Sequence, residues 1–137
     1  MPSELGRLAR ELHILMLNEN SISGVIPSQL GALAGLDTLS LQENSLSGSL
    51  PTQFGELSGM SGYLDIYRNA LSGPIPSQLG RLRRATIFIA GGNLSGTLPS
   101  QIGAPGSATQ LLMYMGRAVS GTLPTLAPPR GASSALR

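Results

Sequence analysis

One phrase constrains this chain more than any other feature. Ser-Gly-x-(Ile/Leu)-Pro occurs five times, at Ser23–Pro27, Ser47–Pro51, Ser72–Pro76, Ser95–Pro99 and Ser120–Pro124, with successive prolines 24, 25, 23 and 25 residues apart. A period of this length means that each unit is a small supersecondary element that cannot bury its apolar side alone and must stack on its neighbours. A second phrase, Pro-Ser-x-Leu-Gly-x-Leu, is interleaved with the first at Pro2–Leu8, Pro27–Leu33 and Pro76–Leu82, with Pro51–Leu57 as a close variant.

The positions within each period have separate physical roles. In Leu39-Ser40-Leu41 a spacing of two sends both leucines to one side of a short strand and Ser40 to the other. Leu15/Leu17, Leu64/Ile66, Ile87/Ile89 and Leu112/Tyr114 repeat the pattern, so the strands are expected to form a parallel sheet over an apolar column. Asn20, Asn44 and Asn69 follow the strands, where a side-chain amide can bond backbone groups left unpaired by the bend, and are expected to form a structural ladder. The Gly of Ser-Gly permits a tight or positive-φ turn, and Pro fixes the bend that follows. Leu5/Leu8, Leu30/Leu33, Phe54/Leu57 and Leu79/Leu82 then return to the core from short helical turns on the outer side.

Composition agrees with many tight turns. There are 18 Gly and 10 Pro and no Trp, yet 41% of residues are hydrophobic, enough to offset the ordering entropy that a disordered chain cannot meet. The absence of Cys removes disulfides, thiol nucleophiles and zinc-thiolate sites. No stretch approaches the roughly 20 apolar residues of a membrane helix, so no membrane insertion by this segment is expected. The acids and the arginines are unevenly distributed: seven acids and two arginines lie up to Asp65, seven arginines and no acid after it.

These residues resemble the plant-type leucine-rich repeat of receptor-like kinases, receptor-like proteins and polygalacturonase-inhibiting proteins. The second unit matches most fully, with Leu36, Leu39, Leu41, Asn44, Leu46, Ser47, Gly48, Leu50 and Pro51. The resemblance runs from Pro2 to about Leu126. It implies an α/β solenoid, a right-handed superhelix of about five repeats, with a short-stranded parallel sheet on the concave face and helical turns on the convex face. The expected organisation is an array over residues 1–126 and a flexible tail over 127–137, where Pro128-Pro129 and Gly131–Ser134 break the pattern.

Departures from the pattern concentrate toward the C-terminus. Gly92 and Arg117 stand where Asn is expected, the fourth unit is one residue short, and Ala104–Ser107 replaces a convex leucine in the fifth. Neither end carries the cysteine-bearing cap usual in the family, which points to a truncated or partial product and to self-association through uncapped ends. The resemblance implies an extracellular or cell-surface location; a chain complete as it stands would be cytoplasmic.

Catalytic chemistry has little to work with, and neither an enzyme nor a cofactor is expected. His13 is the only histidine and is read as a surface or turn residue. Glu19, Glu43 and Arg68 occupy one column of adjacent repeats and read as a solvated charge stripe in preference to a metal or acid–base site. Gly91-Gly92 lacks the Lys and Ser/Thr of a phosphate loop. Asn93-Leu94-Ser95 matches the N-glycosylation pattern, usable only in a secreted chain.

Binding is the remaining role. Outward strand positions fall into three columns: Ile14, Thr38, Tyr63, Thr86, Leu111; Met16, Ser40, Asp65, Phe88, Met113; and Asn18, Gln42, Tyr67, Ala90, Met115. Within and beside them Met16, Tyr63, Asp65, Tyr67, Arg68, Phe88, Met113 and Met115 are the expected ligand-binding residues, of types enriched in protein interfaces. The expected function is a non-enzymatic protein- or peptide-binding module, part of a receptor-like or inhibitor-like protein. The competing expectation is a truncated repeat fragment with a structural role or no ligand of its own. Arg81, Arg83 and Arg84, with Arg7 at the matching position, lack interleaved aromatics and read as a solvated face; no nucleic-acid partner is expected.

Overall fold

The computed structural model describes residues 11–90, 92–102 and 110–114. Among these residues nine strands, numbered in chain order, divide between two parallel sheets. The odd-numbered strands, β1 (Ile14–Met16), β3 (Thr38–Ser40), β5 (Tyr63–Asp65), β7 (Thr86–Ala90) and β9 (Gln110–Tyr114), form the first sheet in that order. Leu15 lies beside Leu39, Leu39 beside Leu64, and Leu64 beside Ile87, so equivalent residues of successive coils stand in line. The inward leucines form the expected column: Leu39, Leu41, Leu64 and Ile87 are wholly inaccessible. Each such side chain contributes roughly 1.5–3 kcal/mol by leaving water.

The second sheet was not anticipated. β2 (Ser23–Val25), β4 (Ser45–Gly48), β6 (Ala70–Pro74) and β8 (Asn93–Ser95) pair in parallel where the sequence indicates only a turn. The Ser-Gly glycines do take positive φ, with Gly24 at 88° and Gly48 at 78°, but the residues before them are extended. The asparagine ladder supports the pairing of β2 with β4 and of β4 with β6, whereas β8 joins β6 without it. Asn44 donates from Nδ2 to the carbonyls of Leu17 (2.8 Å), Leu41 (3.1 Å) and Gln42 (3.1 Å), and its Oδ1 accepts from the Ile22 amide (2.9 Å). Asn69 repeats this, donating to Leu41 (2.9 Å), Ile66 (3.3 Å) and Tyr67 (3.3 Å) and accepting from Leu46 (3.0 Å). Each asparagine therefore ties its own turn to the previous coil and holds the chain as it enters the second sheet. Asn20, in the first described coil, bonds only its own turn, through Leu17 and Asn18.

Among the described residues three short 3-10 helices, Ser28–Ala32, Thr52–Glu56 and Ser77–Arg81, supply convex turns. Each follows a proline whose carbonyl accepts the first bond of the turn, as in Leu30 N to Pro27 O at 3.2 Å. Their close stacking has a steric cause. A Cβ on Gly31, Gly55 or Gly80 would collide with the backbone of Gln53, Gln78 or Gln101 in the next coil, so only glycine fits this column. Leu30, Leu33, Phe54, Leu57, Leu79 and Leu82 enter the core from these turns as expected.

The fourth and fifth coils depart from the ideal. At Gly92 the ladder stops: φ is +71°, and a Cβ would meet the backbone of Leu71. β9 is shifted by one residue from the alignment of the repeated phrases. Leu112, not Met113, lies beside Phe88, and Met113 lies beside Ile89. The register thus moves Met113 out of the column assigned to it, although Leu112 and Ser120 keep the same spacing as Leu39 and Ser47. The first convex phrase, Met115, Arg117, Ser120–Pro124 and the tail 127–137 lie outside the described residues.

Candidate functional site: the concave face

The first sheet presents its outward side chains as one surface, because a period of two sends every second residue away from the core. Not every outward position is open. Thr38 and Ser40 are buried, at 6% and 3%, although the alternation predicts exposure. They are small and lie between coils with larger side chains at the same positions, Ile14 and Tyr63 beside Thr38, Met16 and Asp65 beside Ser40. This leaves a hollow. Met16, Asn18, Ser40, Gln42, Tyr63, Asp65 and Phe88 surround a depression of about 350 Å3.

The aromatic side of the hollow is ordered by ring packing. Tyr63 on β5 and Phe88 on β7 meet edge to face, with centroids 6.3 Å apart and planes at 81°, a geometry the ring quadrupoles favour. Met16 closes the opposite side and is 55% exposed. Asp65 sits between them, its Oδ1 accepting the Tyr67 amide at 3.0 Å. Burial pushes the Asp65 carboxyl above the ordinary aspartate value, and the Tyr67 amide only partly offsets this.

The rim carries the charge stripe read from the sequence. Arg68 Nη1 donates to Glu43 Oε1 at 3.0 Å, both side chains being exposed, and Arg68 Nε donates to the Tyr67 hydroxyl at 3.1 Å. The guanidinium also lies 5.1 Å from the Tyr67 ring centroid. The backbone here is not legible in the residue types: Glu19, Glu43 and Arg68 have φ of 54°, 53° and 50°, left-handed values rare outside glycine. Inter-coil bonds hold them there, including Glu19 N to Gln42 O at 3.0 Å and Glu43 N to Tyr67 O at 2.9 Å.

The structure thus brings Met16, Tyr63, Asp65 and Phe88 into one hollow, while Tyr67 is tied to it through the Asp65 carboxylate and Arg68 through Tyr67. Asn18, Ser40 and Gln42 also line it and were not selected from the sequence, since short polar residues give no interface signal. Elsewhere, His13 is exposed, and its Nδ1 lies 2.9 Å from the Gly35 carbonyl. Among the described residues no three His, Cys, Asp or Glu side chains gather, and no helix is long and apolar enough to cross a membrane. Asn93 and Ser95 are exposed on either side of buried Leu94. On the convex side Arg81 and Arg83 flank a second depression with Gln78 and Gln101. A larger hollow of about 780 Å3 beside the second sheet, lined by Val25, Ile26, Pro27 and Gln53 among others, holds no charged side chain.

The leucine-rich repeat family model matches residues 11–33 and 35–57. Among curated proteins none matches the chain significantly by sequence. Solved structures do match. A chain of the BIR3–SERK2 complex from Arabidopsis thaliana is 39% identical with a TM-score of 0.71, over 88% of this chain and 63% of that one. The ectodomain of the Arabidopsis receptor kinase HAESA, solved with an extended IDA peptide hormone, is 32% identical with a TM-score of 0.79, over 92% of this chain and 21% of that one. The ectodomain of the plant receptor kinase GASSHO1/SCHENGEN3 from Arabidopsis, solved with CASPARIAN STRIP INTEGRITY FACTOR 2, is 31% identical with a TM-score of 0.77, over 85% of this chain and 14% of that one. The chain therefore spans less than two thirds of each of these structures. Their architecture is one used for binding more than for catalysis.

Proposed function

The chain is an array of plant-type leucine-rich repeats, and from that premise we propose that it is a non-enzymatic module that binds a peptide or protein on its concave face. The observation that carries this reading is the hollow bounded by Met16, Tyr63, Asp65 and Phe88, where apolar and aromatic surface lies open around one carboxylate. Aromatic side chains in such a setting are the usual anchors of an interface. The similar receptor ectodomains solved with peptide ligands support the same reading.

The module belongs to a receptor-like or inhibitor-like protein acting outside the cell or at its surface, with residues 1–126 as the array and 127–137 as a tail. In that setting exposed Asn93 is a glycosylation site, and Asn93→Gln removes one glycan's mass from protein secreted by plant cells. Selecting a phage-displayed random peptide library on the immobilised protein tests the binding role. Phe88→Ala or Tyr67→Ala is expected to abolish peptide capture while the circular dichroism spectrum stays unchanged. Loss of capture together with loss of fold, or capture that survives both changes, refutes it.

A further inference from the structure

We infer that the concave partner is an extended peptide that seats a basic side chain, arginine or lysine, against the Tyr63–Phe88 ring pair with its cation on Asp65. This rests on the concave face being the binding surface and names the chemistry that it selects. The argument begins with charge. Among the described residues Asp65 is the only charged group lining the hollow, whose other walls are two aromatic rings, a thioether and short polar side chains.

Arg68, on the same coil, does not neutralise it. Arg68 turns to Glu43 and to Tyr67, and that ion pair is the only one among the described residues. Asp65 therefore carries a desolvation cost with one amide bond, from Tyr67, against it. An acidic or purely apolar side chain entering the hollow would deepen that cost by removing the remaining water, whereas a cation would offset it.

The walls suit a basic side chain as well. Ring faces attract cations, and a guanidinium can stack on an aromatic while bonding a carboxylate. Met16 lies across from the rings at a position to cover an aliphatic stem, since arginine and lysine bury their methylenes readily. Asn18 and Gln42 line the same hollow with amides able to bond an extended backbone. The larger hollow beside the second sheet offers no such complement, because its lining holds no charge.

The test uses peptides selected on the folded protein, synthesised with acetylated N-termini so that the only cation is a side chain. The expected result is enrichment of arginine or lysine at one position. Affinity, measured by calorimetry, then falls about tenfold or more, roughly 1.4 kcal/mol, on Asp65→Asn and equally on replacing the basic residue of the peptide by glutamine. The two losses are not additive, as expected for groups in contact. Peptides lost on Phe88→Ala that carry no enriched basic residue, or are indifferent to Asp65→Asn, overturn this inference and leave the concave reading standing. Peptides that bind Phe88→Ala as well as the parent, or the absence of any enrichment, overturn both.

Discussion

Asn44 carries four hydrogen bonds on one side chain, three to carbonyls and one from an amide, drawn from two coils. Replacing it by alanine leaves several half-buried backbone groups unpaired, and Asn44→Ala should cost about 3 kcal/mol in urea unfolding. Asn20 is exposed and bonds only its own turn, so Asn20→Ala should cost less than about 1 kcal/mol. Two aspartates answer to pH with opposite signs. The Asp37 carboxylate accepts from the hydroxyl and amide of Ser61 and from Thr38, and these bonds hold its carboxyl below the ordinary value. It stabilises the fold above the unfolded aspartate value, and that contribution disappears as pH falls through the lowered one. Ser61→Ala should weaken this acid-limb dependence in melting temperature measured against pH. Asp65 has a raised carboxyl, so its ionisation opposes folding once pH exceeds the raised value. Asp65→Asn should therefore melt slightly higher than the parent at neutral pH, the same change that is expected to weaken binding.

At the scale of elements, the spacing of coils is fixed by what cannot fit between them. A Cβ on Gly55 would stand 2.5 Å from the Gln78 carbonyl oxygen, and Gly55→Ala should cost about 1–3 kcal/mol in urea unfolding by forcing two convex turns apart. Much of this arrangement was legible in advance. The spacing of two in Leu39/Leu41 and the prolines at 27, 51 and 76 located the first sheet and the convex turns, because apolar periodicity and fixed φ act within a few residues. The second sheet was not legible, since Ser-Gly segments have low strand propensity; Asn44 and Asn69 anchor its first strands from neighbouring coils, and β8 joins β6 although Gly92 replaces the asparagine. The shift of β9 escaped because register is an inter-coil property, and the regular spacing of Leu112 to Ser120 along the chain does not report it. In the candidate site the large side chains Met16, Tyr63 and Phe88 were readable. The sinking of Ser40 at the floor of the hollow depends on the size of its neighbours on adjacent strands, and no window along one strand contains that information.

Across the whole molecule, stability should follow neighbour contacts more than position in the sequence, as in a one-dimensional stack. Leu41 is fully enclosed between coils, whereas Leu17 in the first described coil is only partly covered. Leu41→Ala should accordingly cost about 4 kcal/mol and Leu17→Ala about half of that in urea unfolding. Over the first four coils the first sheet keeps strict correspondence: Leu15, Leu39, Leu64 and Ile87 follow one another rung by rung with no drift. A coil is consequently interchangeable at both of its joints. Duplicating the stretch between two equivalent leucines would insert a rung that meets the same partners above and below, so tandem recombination within the gene can lengthen the binding surface while every existing junction stays intact.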